Sequence, residues 1–499
     1  MQRRDFLGTT LAAAGVTAAA PAAAQDRVYD FVIVGAGTAG LPAAIFASRR
    51  GAKVLLIDAA AEVGGTLHLA NGQVAAAGTR AQAAKGIVDD TPDRHFDDIM
   101  LLSRGGADRN VARLTADHAP DTINWLLDNG LVPLPDHPVA GDSPGRPAYR
   151  TARYIWGANN GRDILKVVVK ELAPELASGR VATQLNTRVT GFVLGRDGAI
   201  ESVRATTQGR ELSFRGQHYL LATGGYAMNP TLFQRLIGEP NYVDGSYPFA
   251  QGDGLEMIEA IGGQLRGADL HRPGSGSILT GTAFPAKVYA RFITAPQVRI
   301  PWEIWVNAAG QRFVAEDEPE TYNREREINK QPLFKYAIVF DEGIFRSAPP
   351  GIAGWTHAKI AEHFDRHPMF HRADTLDELA RKAGVDAAGL TATVKAYNAT
   401  VANDGPDNLG RQYRPRAIER GPFYAIIHLG HSATSSAGVA IDKDLRVIRA
   451  DGRPIPNLYA AGEVLGSGAT LGTAFVPGMM LTPALTLGRR LGLTLPIET

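Results

Sequence analysis

Residues 28–58 carry the feature that most restricts how this chain can fold. Val28–Val34 is a short apolar run of β type, and Gly35-Ala36-Gly37-Thr38-Ala39-Gly40 follows it at once. A helical pattern then runs through Leu41, Ala44, Ile45 and Ala47, and after Gly51 the run Lys53–Ile57 reads as a second strand ending on Asp58. Strand, glycine turn, helix, strand and acid within about thirty residues make a βαβ unit that binds a dinucleotide. Gly35 permits the tight turn, Gly37 lets the backbone approach a pyrophosphate, and Gly40 lets the helix pack on the strand. Thr38 and Ala39 sit at the helix N-terminus, whose oriented N–H groups meet the phosphate charge. Asp58, 18 residues past Gly40, can accept from a ribose hydroxyl.

Gly64-Gly65-Thr66, six residues past Asp58, favours FAD over a nicotinamide, because many flavoproteins carry such a pair just after the ribose acid. No second glycine fingerprint stands in a strand–helix setting, so a built-in nicotinamide domain is not expected. The 499 residues contain no cysteine, which removes Cys-ligated zinc, iron–sulfur clusters, a redox disulfide and thioether-bound haem. No metal site is expected. With 52 basic and 51 acidic residues, nothing favours a nucleic acid or an anionic membrane, and a small-molecule substrate is the expected partner.

The first 24 residues read as a targeting segment. Arg3-Arg4-Asp5-Phe6-Leu7, an Ala-rich apolar stretch and Ala22-Ala23-Ala24 before Gln25 resemble a twin-arginine signal peptide, which implies export to the periplasm. The apolar run is too short for a membrane span, and none is expected in the mature chain.

Farther along, Tyr219–Tyr226 with Ala222-Thr223-Gly224-Gly225 looks like the strand and turn that return to the FAD in fumarate reductase flavoproteins. Gln251-Gly252-Asp253-Gly254 resembles that family's TGDG segment, and Asn457–Glu463 resembles its second FAD-contacting strand, delivering Gly462 and Glu463 to the cofactor. The resemblance spans about Val28 to Leu493 and is identified as membership of the fumarate reductase/succinate dehydrogenase flavoprotein family. It implies an α/β fold: a doubly wound, Rossmann-like FAD-binding domain with an inserted α+β capping domain. The expected boundaries are 28–268 plus 431–499 for the FAD domain and 269–430 for the cap. Apolar spacings of three and four from Leu376 to Ala402 independently predict an amphipathic helix pair within the cap. Met480 and Leu481 are expected to close on the flavin, and Asp253 to face it. His68, near the Gly64 pair, is about two residues away from the family's covalent site, so the FAD is expected to be non-covalent.

At the reacting centre the chain departs from fumarate reductases. Their run RFVNExxxR ends on an acid arginine; here Arg312-Phe313-Val314-Ala315-Glu316 leads to Glu320 at that position, with Arg324 four residues later. Their C-terminal HGANR-like run is replaced by Gly466–Gly472. The chain instead resembles the 3-ketosteroid dehydrogenase branch. Tyr322 follows the run after a two-residue extension, and Pro477-Gly478-Met479-Met480-Leu481 looks like the turn whose N–H binds a ketone. The branch's C-terminal tyrosine is replaced by Ala474, with Phe475 beside it. On this reading Tyr322 is the acid/base and the Gly478 N–H the oxyanion donor, with His271, His428 and His431 as further pocket candidates.

The resulting expectation is an exported FAD-dependent oxidoreductase acting on a carbon–carbon bond beside a carbonyl in a fairly apolar substrate. Two alternatives stand: an enoate reductase that anchors a carboxylate on Arg324 or Arg291, and a flavin electron-carrier subunit. A separate electron carrier or oxygen must complete the redox cycle.

Overall fold

A computed structural model describes residues 27–497 apart from position 144. The expected signal segment, 1–24, lies outside the described residues. In chain order, the N-terminal part supplies β1 (Val28–Val34), α1 (Gly40–Arg49), β2 (Val54–Ile57), β3 (Val181–Gln184), β4 (Arg188–Leu194), β5 (Ile200–Thr207), β6 (Arg210–Leu221) and α2 (Asp253–Ala260). The middle supplies β7 (Ile304–Val306), α3 (Thr321–Asn329), β8 (Lys335–Asp341), β9 (Phe370–Ala373), α4 (Leu376–Ala383), α5 (Ala387–Ala402) and β10 (Phe423–Leu429). The chain then returns through β11 (Arg446–Ile448), β12 (Pro454–Ala460) and α6 (Leu481–Thr494).

The central sheet runs β11-β12-β6-β1-β2-β3, and β4 and β5 extend it from β6. β1 is parallel to β2 on one side and to β6 on the other, with Phe31 opposite Val54 and Val34 opposite Leu221. Covered on both faces, such strands have to be apolar almost throughout; β2 is buried at every residue and β1 from Phe31 onward. β12 pairs in parallel with the end of β6, so residues from both ends of the chain finish at one edge of the site.

α6 closes on α1 at two glycines. A Cβ at Gly488 would stand 2.1 Å from the Ala39 carbonyl oxygen, and one at Gly492 would stand 2.5 Å from that of Ala43. This close crossing brings the start of α6, Met480-Leu481, beside the glycine turn.

The middle segment folds around its own antiparallel sheet, β7-β8-β10-β9. The spacing read from 376 to 402 becomes two helices, α4 and α5, broken at Gly384 with φ 64°. They bury Leu379, Ala380, Ala383, Leu390, Val394 and Tyr397. The cap's apolar core also takes in Tyr242 and Val243, upstream of the segment that forms its sheet. A small third core, including Ala75, Tyr149, Tyr154, Val476 and Met479, underlies the loop that leads into α6. No helix among the described residues is long and apolar enough to cross a membrane.

Candidate active site

The carboxyl ends of β1, β6 and β12 open into a cavity of about 370 Å³. Its first half is the glycine turn. A Cβ at Gly35, where φ is 110°, would lie 2.2 Å from the Ala222 carbonyl oxygen, and one at Gly40 would lie 1.9 Å from that of Gly35. These two glycines are required by backbone packing. Gly37 is different: its Cβ would meet only the Gly65 Cα at 3.7 Å, so the face it presents to the cavity is open. No described side chain caps α1; the Leu41 N–H is taken by the Gly37 carbonyl oxygen at 3.1 Å and Pro42 has none, so the N–H groups offered to a ligand are those of the turn before Leu41.

Asp58 accepts from Ala36 N at 2.6 Å and from Ala60 N at 2.8 Å, which fixes the carboxylate at the rim. Burial raises its pKa against those two hydrogen bonds. Thr38, Ala39, Gly65, Thr66, Ala222, Thr223, Gly224, Asp253, Gly462, Glu463, Met480 and Leu481 line the same cavity. Gly40, Gly64 and Gly225 stand behind the wall; a Cβ at Gly225 would strike Ser435 Oγ at 2.2 Å. Asp253 is ion-paired with Arg188. The Thr223 hydroxyl is buried with no hydrogen-bond partner among the described residues. An open glycine face at an uncapped helix end, a ribose acid and an unsatisfied hydroxyl fit FAD. His68 lies outside this lining, its Nε2 3.0 Å from the Val63 carbonyl oxygen.

Glu463 gives the cradle a pH dependence. Burial lifts its carboxyl to about 7, while hydrogen bonds from Ser435 pull the other way; the Ser435 N–H donates to it at 3.0 Å. Below pH 7 the carboxyl of the unloaded protein is protonated. A ribityl hydroxyl donating to it favours the ionised form, so binding releases a proton. FAD affinity is therefore expected to rise by up to about tenfold per pH unit below 7 and to level off above it. Titration of the apoprotein with FAD between about pH 5.5 and 8.5 checks this. The slope should vanish in Glu463→Gln, and a flat wild-type curve would remove Glu463 from contact with the cofactor.

The loop that leads into α6 and the start of that helix wall the cavity with Phe475, Val476, Met479, Met480 and Leu481, with Gly478 and Tyr154 among them. Asn71, Gln73 and Thr434 add neutral polar groups. Among the described residues of the lining there is no Arg, Lys or His. Tyr154, on a two-residue strand paired with Val74–Ala75, carries no motif, and sequence reasoning passed over it. The only sequence signal near it is the apolar Tyr154-Ile155 pair itself.

The other candidates lie elsewhere. Tyr322, on α3, lines a separate cleft between cap and FAD domain with Arg104, Arg146 and Glu320. The Arg104 guanidinium lies 5.2 Å from its ring and pairs with Glu320 at 3.1 Å. The extension that follows the Arg312–Glu316 run places α3 at this cleft, and Arg146, which lines it too, lies 5.6 Å from the ring of Phe475 in the wall of the flavin cavity.

Glu316 itself is a buried clamp. It accepts from Arg312 at 2.7 and 2.8 Å, from Arg411 at 3.0 Å and from Trp305 N at 2.9 Å. Arg324 is buried; its guanidinium donates to the Glu318 carbonyl and to Thr321 Oγ1, with no carboxylate ion pair among the described residues. Burial lowers its pKa, opposed by Glu325 and Glu318.

His271 is packed between Phe233 and Phe334, and burial pushes it down to about 3. His428 stacks on Tyr336 and is also pushed to about 3 by burial. His431 bridges to Gly274 and is pushed to about 4, by burial and then by Arg291. All three imidazoles are neutral at physiological pH, and none lines the FAD-shaped cavity.

Two domains, a parallel sheet ending in a glycine cradle, and a cap beside its far end define a flavoprotein of the doubly wound class. The family model of the FAD binding domain matches residues 30–473, and the chain belongs to that family; it is an FAD-dependent oxidoreductase. It is 29% identical over 484 residues to a fumarate reductase (cytochrome) of Shewanella frigidimarina, covering 95% of this chain and 78% of that one. It is 27% identical over 500 residues to a vinyl phenol reductase of Lactiplantibacillus plantarum, covering 94% and 96%. The fold is shared with a 3-ketosteroid Δ1-dehydrogenase from Sterolibacterium denitrificans, with a TM-score of 0.69 at 19% identity over 93% of this chain and 98% of that one.

Proposed function

We propose that the protein is exported and moves two electrons between FAD and a carbon–carbon bond adjacent to a carbonyl in a mostly apolar substrate. The observation that carries this reading is the cavity wall made by the loop into α6 and its start: apolar side chains and neutral polar groups, with no cation among its described residues. A dicarboxylate brought there would meet no cationic side chain in the wall itself to replace its hydration; the Arg146 and Arg272 guanidiniums lie behind it, 5.6 and 6.0 Å from the Phe475 ring. FAD, when bound, supplies hydride exchange. Val476, Met479, Met480 and Leu481 exclude water from the reacting carbons. The twin-arginine-like residues 1–24 support export, and non-covalent FAD is supported by His68 being turned to Val63. Electrons enter or leave through a separate carrier or oxygen.

A second reading has its own support. Arg324 is a buried cation with no carboxylate partner among the described residues, and a 29%-identical relative is a fumarate reductase. An unsaturated carboxylate would give Arg324 a direct ion pair beside the Glu325 and Glu318 charges that already act on it.

One anaerobic experiment separates the two. The holoprotein is photoreduced and mixed with a cyclic enone such as a 3-ketosteroid, or with fumarate, and the return of the yellow absorbance is followed. Reoxidation by the enone alone is the expected result. Reoxidation by fumarate at a comparable rate would overturn it in favour of the carboxylate reading.

A further inference from the structure

Tyr154 is fully buried, lines the cavity beside Gly478, and its hydroxyl makes no hydrogen bond with any described group. Thr223 is the other lining residue whose fully buried hydroxyl has no partner among the described residues, and it sits against Gly254 in the nucleotide half. The Gly478 N–H is directed at the Tyr154 oxygen and lowers the phenol's pKa against the larger effect of burial, while the phenol's own proton has no acceptor among the described groups. Burial holds the phenol well above its ordinary range, so at neutral pH it is an O–H donor.

The backbone behind it is fixed. The Tyr149 hydroxyl donates to the Pro477 carbonyl, on the peptide whose N–H belongs to Gly478. Gly478 has φ 77°, and a Cβ there would stand 2.7 Å from Ala75 N, on the strand that pairs with Tyr154.

We propose that Tyr154 is a catalytic residue whose O–H donates to the carbonyl oxygen of the substrate, with the Gly478 N–H donating to the phenol oxygen from behind. The inference rests on the carbonyl reading proposed above. In the reductive direction, FAD when bound and reduced by a separate electron carrier would supply a hydride for the β-carbon. The C=C pair shifts to the α-carbon–carbonyl-carbon bond, and the carbonyl π pair moves onto oxygen. That oxygen gathers the negative charge, and the Tyr154 hydrogen bond strengthens at that moment. A solvent proton then completes the α-carbon, and Tyr154 keeps its own. Tyr149 is a positioning residue, acting through the Pro477–Gly478 peptide.

The test uses Tyr154→Phe and Tyr149→Phe holoproteins beside wild type. The first readout needs no turnover: binding of 4-nitrophenolate, whose oxygen mimics the enolate, followed by the shift of its absorbance. The second is reoxidation of photoreduced protein by a cyclic enone. Tyr154→Phe is expected to keep wild-type FAD content and thermal midpoint. Its phenolate affinity should fall by about tenfold or more, and its maximal reoxidation rate by about 10²–10³-fold with the half-saturating enone concentration nearly unchanged. Tyr149→Phe should fall between the two. Wild-type behaviour of Tyr154→Phe in both readouts would overturn the assignment to Tyr154 alone. Wild-type protein that neither binds the phenolate nor is reoxidised by the enone would overturn the carbonyl reading on which it rests.

Discussion

Gly37→Asp is expected to give a folded but colourless protein. The position tolerates a side chain: its φ is not left-handed, and a Cβ there would make only an ordinary contact, 3.7 Å from the Gly65 Cα. The new carboxylate would nevertheless sit at the uncapped start of α1, on the open face that the cavity presents to a diphosphate. Like charges about 4 Å apart at an effective dielectric near 20 repel by about 4 kcal/mol, which corresponds to roughly a thousandfold in affinity. The measurement is FAD stoichiometry after dialysis, with circular dichroism and thermal melting to show that the fold survives. Gly40 supplies the contrast. Its missing Cβ would lie 1.9 Å from the Gly35 carbonyl oxygen, so substitution there disturbs the turn itself as well as the ligand. A Gly37→Asp protein that retains full yellow colour would remove the diphosphate from this turn.

The cradle was legible in the sequence because its residues are set by local sterics. Gly35 and Gly40 lie within six positions of each other, and the carbonyls that exclude their side chains belong to the same strand–turn–helix unit or its direct neighbour, Ala222. The cap helices were legible for a similar reason, since a spacing of three and four reports a buried helical face without reference to the rest of the chain. The reacting end is assembled differently. Tyr154, Ala75 and Gly478 come together through one two-residue strand pair and a C-terminal turn, and the bond from Tyr149 to Pro477 spans 328 positions. No local period encodes such a meeting.

The Arg312–Glu316 run shows the opposite hazard. It was recognisable as a motif, but what it specifies locally is an ion clamp, with Glu316 fully buried between Arg312 and Arg411. The following residues lie wherever the extension and α3 lead them. Linear distance from a motif located Tyr322 in the chain and said nothing of the cavity its ring would line. The neutral state of His271, His428 and His431 was hidden for the same reason, because burial by residues distant in sequence decides it.

Replacing Arg153 by Met is expected to cost about 3–5 kcal/mol of stability, because it strands the Asp90 carboxylate in the interior and leaves Asp98 only its pair with Arg150. Arg153 donates to Asp90 at 2.6 and 2.9 Å and to Asp98 at 2.6 Å, and the three side chains are 0%, 0% and 2% exposed. Burial opposes the guanidinium's charge, and the paired carboxylates more than offset it, holding its pKa above the ordinary value. Gln82 and Arg150 satisfy further lone pairs on the same acids, so the network is closed while Arg153 is present. The exposed pair Arg113–Asp93, at 30% and 88% exposure, is the internal control, worth under about 1 kcal/mol when broken. Denaturant unfolding of the holoproteins measures both. Adding Asp90→Asn and Asp98→Asn to Arg153→Met should recover much of the loss, since the penalty lies in the unpaired charges and not in the missing guanidinium. The consequence reaches the site, because the Arg153 guanidinium lies 4.8 Å from the Tyr149 ring and the Tyr149 hydroxyl holds the Pro477 carbonyl. The triple variant should therefore regain stability before it regains turnover. Simultaneous recovery of both would show that the ion network stabilises this region without orienting the Gly478 peptide.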